Sequence, residues 1–153
     1  FRAGTETPPG LEGHPVGAQA YERTIAGMKN AYANKVLMTF STDADYWVPG
    51  KTRGELVMEF IKPWIDAGIP NADTLRAMTI NGYRIAETEK ERGPIKAGFF
   101  ADIIALPGNP LEDLNALKNI QFVMKDGVVF KDKGVVTPMA FFHAGPINGW
   151  RIR

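Results

Sequence analysis

The chain contains no cysteine. Disulfides, thiolate metal sites and a cysteine nucleophile are therefore excluded, while the compartment stays open because oxidising and reducing surroundings both hold cysteine-free proteins. Histidine is nearly as scarce. His14 and His143 are the only two, and neither has a second histidine at metal-ligand spacing. Each is read as a surface or packing residue, which leaves the chain short of donors for a hydrolytic zinc site, usually built from several protein ligands. No apolar run approaches the roughly 20 residues that cross a bilayer, and no signal peptide is visible. Charge of one sign is not in excess either. The 18 basic and 17 acidic side chains give a net charge of +1, so the chain carries no electrostatic footprint for nucleic acid. Gly-x-Gly-x-x-Gly, Gly-x-Ser-x-Gly and His-Glu-x-x-His are all missing, which removes the dinucleotide fingerprint, the serine-hydrolase elbow and the zincin helix. The chain opens on Phe1 and its first methionine is Met28; a cleavage product, one chain of a processed protein, or a fragment is expected.

What is present fits an ordinary globular chain: 153 residues, 44% hydrophobic, enough for one domain with a core. Residues 1–16, rich in Gly, Pro and Thr, read as a loop. Tyr21, Ile25, Met28 and Tyr32 recur at helical spacing, predicting a helix over about 17–33. Val36-Leu37-Met38-Thr39-Phe40 reads as a buried strand covered on both faces, in the manner of parallel strands in α/β proteins. A second helix is predicted over 53–67, kinked or restarted at Pro63 and stopped at Gly68. A third is predicted over about 72–86, capped by Asn71 or Asp73, with Leu75, Met78 and Ile85 inward. The charged run 87–92 reads as solvated surface. Beyond it, short apolar segments at 101–106, 120–124 and 128–130 read as strands, and 111–117 as one or two helical turns. The last two strands are joined across Asp126-Gly127, a strong hairpin signal because a type I′ turn needs positive φ at both central positions.

Chemistry concentrates where the first strand ends. An apolar strand running into Ser41-Thr42-Asp43 sets a carboxylate at its C-terminal end, the edge at which α/β proteins gather ligands and catalytic groups. Asp43 either binds a metal through oxygen or works as a general acid/base on a metal-activated water; the alternative is that it only turns or caps the chain. A competing motif, Gly50-Lys51-Thr52, looks like the end of a phosphate-binding loop. That pattern needs a glycine five residues before Gly50, where Asp45 stands and would repel phosphate. Lys51 is read instead as an exposed loop cation.

In order along the chain, several segments carry a family resemblance. They are Lys35-Val36-Leu37-Met38-Thr39-Phe40-Ser41-Thr42-Asp43-Ala44, Asp66-Ala67-Gly68-Ile69-Pro70, Leu75-Arg76-Ala77-Met78-Thr79-Ile80-Asn81, the stretch from Gly93 to Leu106, Gly108-Asn109-Pro110-Leu111-Glu112-Asp113 and Val123-Met124-Lys125-Asp126-Gly127-Val128-Val129. Over residues 17–131 the sequence resembles the C-terminal region of the amidohydrolase superfamily, in its imidazolonepropionase-like and prolidase-like branch. The resemblance implies an α/β fold: the end of a distorted (β/α)8 TIM barrel plus part of a small β-sandwich. It implies residues 1–92 as the barrel end with its last strand at about 36–40, 93–137 as the sandwich portion, and 138–153 as a tail.

The resemblance further implies that Asp43 matches the family's strand-end aspartate, which binds the catalytic metal and deprotonates the attacking water. The other family ligands, a His-x-His pair, a lysine or glutamate and two further histidines, lie on strands this chain lacks, and nothing carries over to His14 or His143. The implied cofactor is a divalent metal, Zn2+ as one or two ions, with its other ligands outside the chain. The implied activity is hydrolysis of C–N bonds in an amide, small peptide or cyclic amide, lost without the N-terminal barrel portion. That portion is the implied partner, and a homo-oligomer is the implied assembly. Asp45, Tyr46 and Trp47 become candidates for a substrate pocket, while Trp47-Val48-Pro49 and Arg53-Gly54 stand where relatives often carry a His-Gly pair. Asp102 matches a family position on the sandwich and is read as structural, with Ile103, Ile104 and Leu106 in the core. The contrasting expectation is a non-catalytic β-rich interaction or assembly module derived from such an enzyme.

Overall fold

The computed structural model describes residues 15–43, 48–133 and 135–136. Five helices come first: α1 (Pro15–Ala33), α2 (Arg53–Glu59), α3 (Lys62–Asp66), α4 (Asn71–Met78) and α5 (Ile80–Ile85). Strand β1 (Ile103–Ala105), a 3-10 helix (Leu114–Asn119), and strands β2 (Phe122–Lys125), β3 (Val128–Asp132) and β4 (Val135–Val136) complete the order. No helix among the described residues is long and apolar enough to cross a membrane.

Two predicted helices are each divided. The second breaks at Phe60–Ile61 because Pro63 enters the first turn of α3, where its missing N–H costs nothing but its ring bars a continuous helix. Gly68 then stops α3 at φ 70, a left-handed conformation that glycine enters without a Cβ penalty. The third predicted helix breaks at Thr79, whose backbone lies at φ −129 and ψ −89 and whose hydroxyl bonds the Leu75 carbonyl. Neither expected cap forms at its start. Pro70 occupies the N-cap, Asn71 instead donates to the carbonyls of Leu111 and Glu112, and Asp73 accepts from Tyr32 and Arg76. Leu75 and Met78 pack inward as predicted, whereas Ile85 is exposed.

Helix α2 begins with a full capping box. The Thr52 hydroxyl accepts from the Glu55 amide, and the Glu55 carboxylate accepts from the Thr52 amide. The Thr52 amide, and after it the Thr52 hydroxyl, donate to the Glu55 carboxylate and hold that carboxyl below its ordinary value. Thr52→Ala removes both hydrogen bonds of the hydroxyl and is expected to cost about 1 kcal/mol, read as a lowered urea midpoint with an unchanged slope.

The strands form one antiparallel sheet in the order β1-β2-β3-β4. Asp126 and Gly127 sit at φ 52 and φ 78, the two positive values that the Asp-Gly hairpin signal requires. Ile104, expected in the core, is nearly half exposed, as are Val128 and Val129 in part. The described residues thus supply one layer, with apolar side chains still facing outward.

Two small cores hold the helices and sheet together. Trp64, Ala67, Ile69 and Ala77 form the first, against Ile25, Met28, Met38 and Phe40. Ile61, Leu114 and Leu117 form the second, with Phe40, Met58, Leu75, Met78 and Leu106 around them. The second cluster joins helices that precede residue 93 to the 3-10 helix that follows it. Phe40 belongs to both, its ring 6.1 Å from that of Trp64.

Residues 36–40 differ from the prediction of a buried strand. They form no strand among the described residues, and Val36 and Leu37 are 56% and 47% exposed. A parallel strand needs a neighbour on each side for its backbone groups, and none is provided here. The segment is held from one side only: the Phe40 amide donates to the Ala77 carbonyl, and the Asn81 side chain donates to the Met38 carbonyl. No parallel pairing occurs in the described residues at all.

Candidate functional site

Asp43 emerges three residues beyond Phe40, the side chain that pins this segment to both cores. The carboxylate is exposed, and among the described residues it makes no hydrogen bond or ion pair. Its backbone sits at φ 45. Aspartate enters this left-handed region more readily than most residues, yet still at a cost of about 1 kcal/mol. The structure therefore leaves a free carboxylate at the point where an apolar segment leaves the core.

No three His, Cys, Asp or Glu side chains gather into a metal site among the described residues. Asp43 nonetheless fits as one member of a metal shell. A carboxylate oxygen suits zinc and other divalent ions, and this one is committed to nothing else. The candidate pocket residues Asp45, Tyr46 and Trp47, and both histidines, lie outside the described residues.

The loop that returns toward α2 is anchored at its far end. Lys51 pairs with Glu59, whose second oxygen is buried without a partner, and Thr52 is engaged in the capping box. A phosphate-binding lysine and threonine would have to be free for a ligand, so Gly50-Lys51-Thr52 serves the start of α2.

Among the described residues the most densely bonded carboxylate is Asp102, immediately before β1. It accepts from the Asp126 amide at 2.8 Å, Arg92 at 2.6 Å, the Tyr83 hydroxyl at 3.0 Å and Lys125 at 3.2 Å. Burial alone would raise its pKa; the Asp126 amide, Arg92, Lys125 and Tyr83 together hold it far below the usual carboxylate range. Arg92 also reaches Asp126 at 2.6 Å and lies over the Phe100 ring, 4.0 Å from its centroid. The reading of Asp102 as structural agrees with this arrangement. The reading of residues 87–92 as plain solvated surface does not extend to Arg92, which is largely buried in the clasp. Nothing in the spacing of Arg92, Asp102 and Asp126 announces their meeting, because a hairpin and a turn bring them together.

The pattern that defines the amidohydrolase family matches residues 15–130. Among solved structures, a Xaa-Pro dipeptidase with methionine bound in its active site is 28% identical, with a TM-score of 0.62 over 76% of this chain and 27% of that one. An ochratoxinase of A. niger is 26% identical, with a TM-score of 0.60 over 78% of this chain and 28% of its own. A prolidase-like protein of Bifidobacterium longum is 25% identical, with a TM-score of 0.62 over 74% and 27% of the two chains. No curated protein matches. The chain thus spans little more than a quarter of the length of the structures it resembles, and its fold is related to the TIM barrel of those proteins. From α1 to β3 the match is continuous, and the chain belongs to the amidohydrolase family.

Proposed function

We propose that this chain is the C-terminal part of a metal-dependent hydrolase that cleaves C–N bonds in an amide, small peptide or cyclic amide. The observation that carries this reading is the free, exposed carboxylate of Asp43, standing within the family match at the end of the segment that the cores hold in place. Likeness to a Xaa-Pro dipeptidase and an ochratoxinase supports the substrate class. In this reading residues 36–40 are the last barrel strand, and the strands that flank it lie on polypeptide beyond these residues. The exposed side chains of Val36 and Leu37 support that assignment.

A bound divalent metal, zinc being the simplest choice, would supply Lewis acidity that eases ionisation of a water and polarises the scissile carbonyl. The rest is work for the chain's own residues. One Asp43 oxygen would join the metal shell, beside ligands from outside the chain. The carboxylate would take the proton from the attacking water and return it to the leaving nitrogen, as a general base and then a general acid. Asp45, Tyr46 and Trp47 follow directly in the sequence, and we assign them to the substrate side of the same mouth.

The test uses the intact hydrolase polypeptide. Hydrolysis of Xaa-Pro dipeptides, N-acyl amino acids and a cyclic amide is measured before chelation, after it, and after zinc is restored. Turnover of at least one class, lost with the metal and regained with it, is expected. A protein that holds no metal and cleaves none of these classes contradicts the proposal.

A further inference from the structure

Gly50-Lys51-Thr52, which opens onto α2, also closes a turn. The Lys51 amide donates to the Val48 carbonyl at 3.2 Å, and between them stand Pro49 and Gly50, the glycine at φ 78. Proline followed by a glycine of positive φ is the pair that favours a type II turn, so residues 48–51 form a stiff unit. Two contacts fasten that unit to α2. The Lys51 ammonium pairs with the Glu59 carboxylate, and Thr52 closes the capping box with Glu55. Helix α2 is itself seated in the fold: Leu56 is buried, Met58 packs on the second core, and Ile61 just beyond the helix belongs to that core.

The Glu59 carboxylate is one-sided. Both side chains of the pair are partly exposed, but the Glu59 Oε2 atom is buried without a hydrogen-bond partner. Lys51 is thus the whole of its pairing among the described residues. Exposed ion pairs are loosened by water that competes at both ends. Here the Glu59 end is shielded, and a desolvated carboxylate that loses its cation is left uncompensated, which holds Lys51 in place.

We propose that Lys51 and Glu59 are positioning residues for the substrate side of the reaction: the pair fixes the 48–51 turn on α2 and thereby sets the course of the stretch that carries Asp45, Tyr46 and Trp47. The inference rests on the hydrolase reading above and adds two residues that act through others. Only four residues, Ala44 to Trp47, separate Asp43 from Val48. A span of that length reaches no more than about 18 Å, so the place of Val48 bounds where all four can run. Phe40, shared by both cores, holds the chain before Asp43; the Lys51–Glu59 pair holds it after Trp47. A plain structural tie for α2 is the competing explanation, and it moves different quantities.

The experiment uses the intact hydrolase and whichever of the Xaa-Pro dipeptide, N-acyl amino acid or cyclic amide the wild type turns over. Lys51→Ala and Glu59→Ala are each expected to raise KM about tenfold, less than the roughly hundredfold that a misplacement of about 1 Å can cost at the reacting atoms. kcat and bound metal stay within about twofold of wild type, the pattern of lost uniform binding. Glu59→Gln keeps an acceptor for Lys51 and raises KM less. The double alanine variant is no worse than either single one, since the two side chains act as one unit. The swap Lys51→Glu with Glu59→Lys returns KM most of the way to wild type, and it also places each charge at the end of α2 that suits the helix dipole. Leu117→Ala supplies the structural baseline: it removes packing from the second core, to which no residue of the turn belongs, and lowers the urea midpoint while leaving KM unchanged. An unmoved KM in both single variants overturns the proposal, as does an equal rise in Leu117→Ala or a double variant in which the two effects add. A fall in kcat at constant KM does so too, because it marks a smaller folded fraction. Metal-dependent hydrolysis by the wild type separates the two readings: activity with an unmoved KM refutes only the positioning role, whereas absent activity refutes the hydrolase reading and this role with it.

Discussion

Asp43→Ala in the intact hydrolase is expected to lower kcat for amide hydrolysis by about a thousandfold, the range in which a positioned general acid/base contributes. KM should change little, because the carboxylate acts on the water and leaving nitrogen rather than on the body of the substrate. Stability should hardly move. Asp43 is exposed and makes no hydrogen bond or ion pair among the described residues, so only its left-handed backbone is affected, an effect of about 0.5 kcal/mol. Asp43→Asn separates the two proposed tasks. The amide oxygen can still contribute to a metal shell, but it cannot hold a proton at the working pH. The Asn variant should therefore retain more metal than the Ala variant while remaining equally slow. Metal content by elemental analysis and kcat on a dipeptide measure the two quantities independently. Full activity of Asp43→Ala would falsify the assignment of this residue.

The limits of sequence reading follow from what each signal depends on. Short-range signals survived: the Asp126-Gly127 hairpin, the Gly68 stop and the helix expected over about 17–33, which begins two residues earlier at Pro15, all depend on residues within a few positions of one another. Pro63 was legible as a disruption because its ring acts locally. Thr79 carried no such signal, and the break there follows from the turn that brings α5 beneath residue 38. Residues 36–40 form no strand among the described residues for a different reason. Their composition does specify a buried strand, but burial requires neighbours, and the described residues provide them on one side only. Arg92 was illegible because its value comes from carboxylates 10 and 34 positions away. Asp43 falls between these cases. Its place after an apolar run was visible, while the absence of any competing partner could be learned only from the structure.

Asp102→Ala is expected to destabilise the fold by about 2 kcal/mol, because it removes the shared acceptor of a half-buried charge cluster and leaves buried donors without a partner. The Asp126 amide and the Tyr83 hydroxyl lose their acceptor, and Lys125 keeps only Asp126. Arg92 retains Asp126 and the Phe100 ring, which limits the loss. Asp102→Asn preserves an acceptor for the amide and hydroxyl and removes only the charge, so it should cost about half as much. Acidification tests the same clasp without mutation. The Asp102 carboxyl is held below its unfolded value of about 3.9. The unfolded chain therefore binds a proton first as pH falls, and the stabilising contribution is complete above that value and lost below it. Wild-type urea midpoints should decline steeply below about pH 4, and the Asp102→Ala protein should show a shallower decline from a lower plateau. A double-mutant cycle with Arg92→Ala should return a coupling of about 1 kcal/mol or more, as expected for residues in direct contact within one network. An Asp102→Ala protein within about 0.5 kcal/mol of wild type, with the same acid profile, would mean that the sheet sits on the helices through the Leu114 and Leu117 contacts alone.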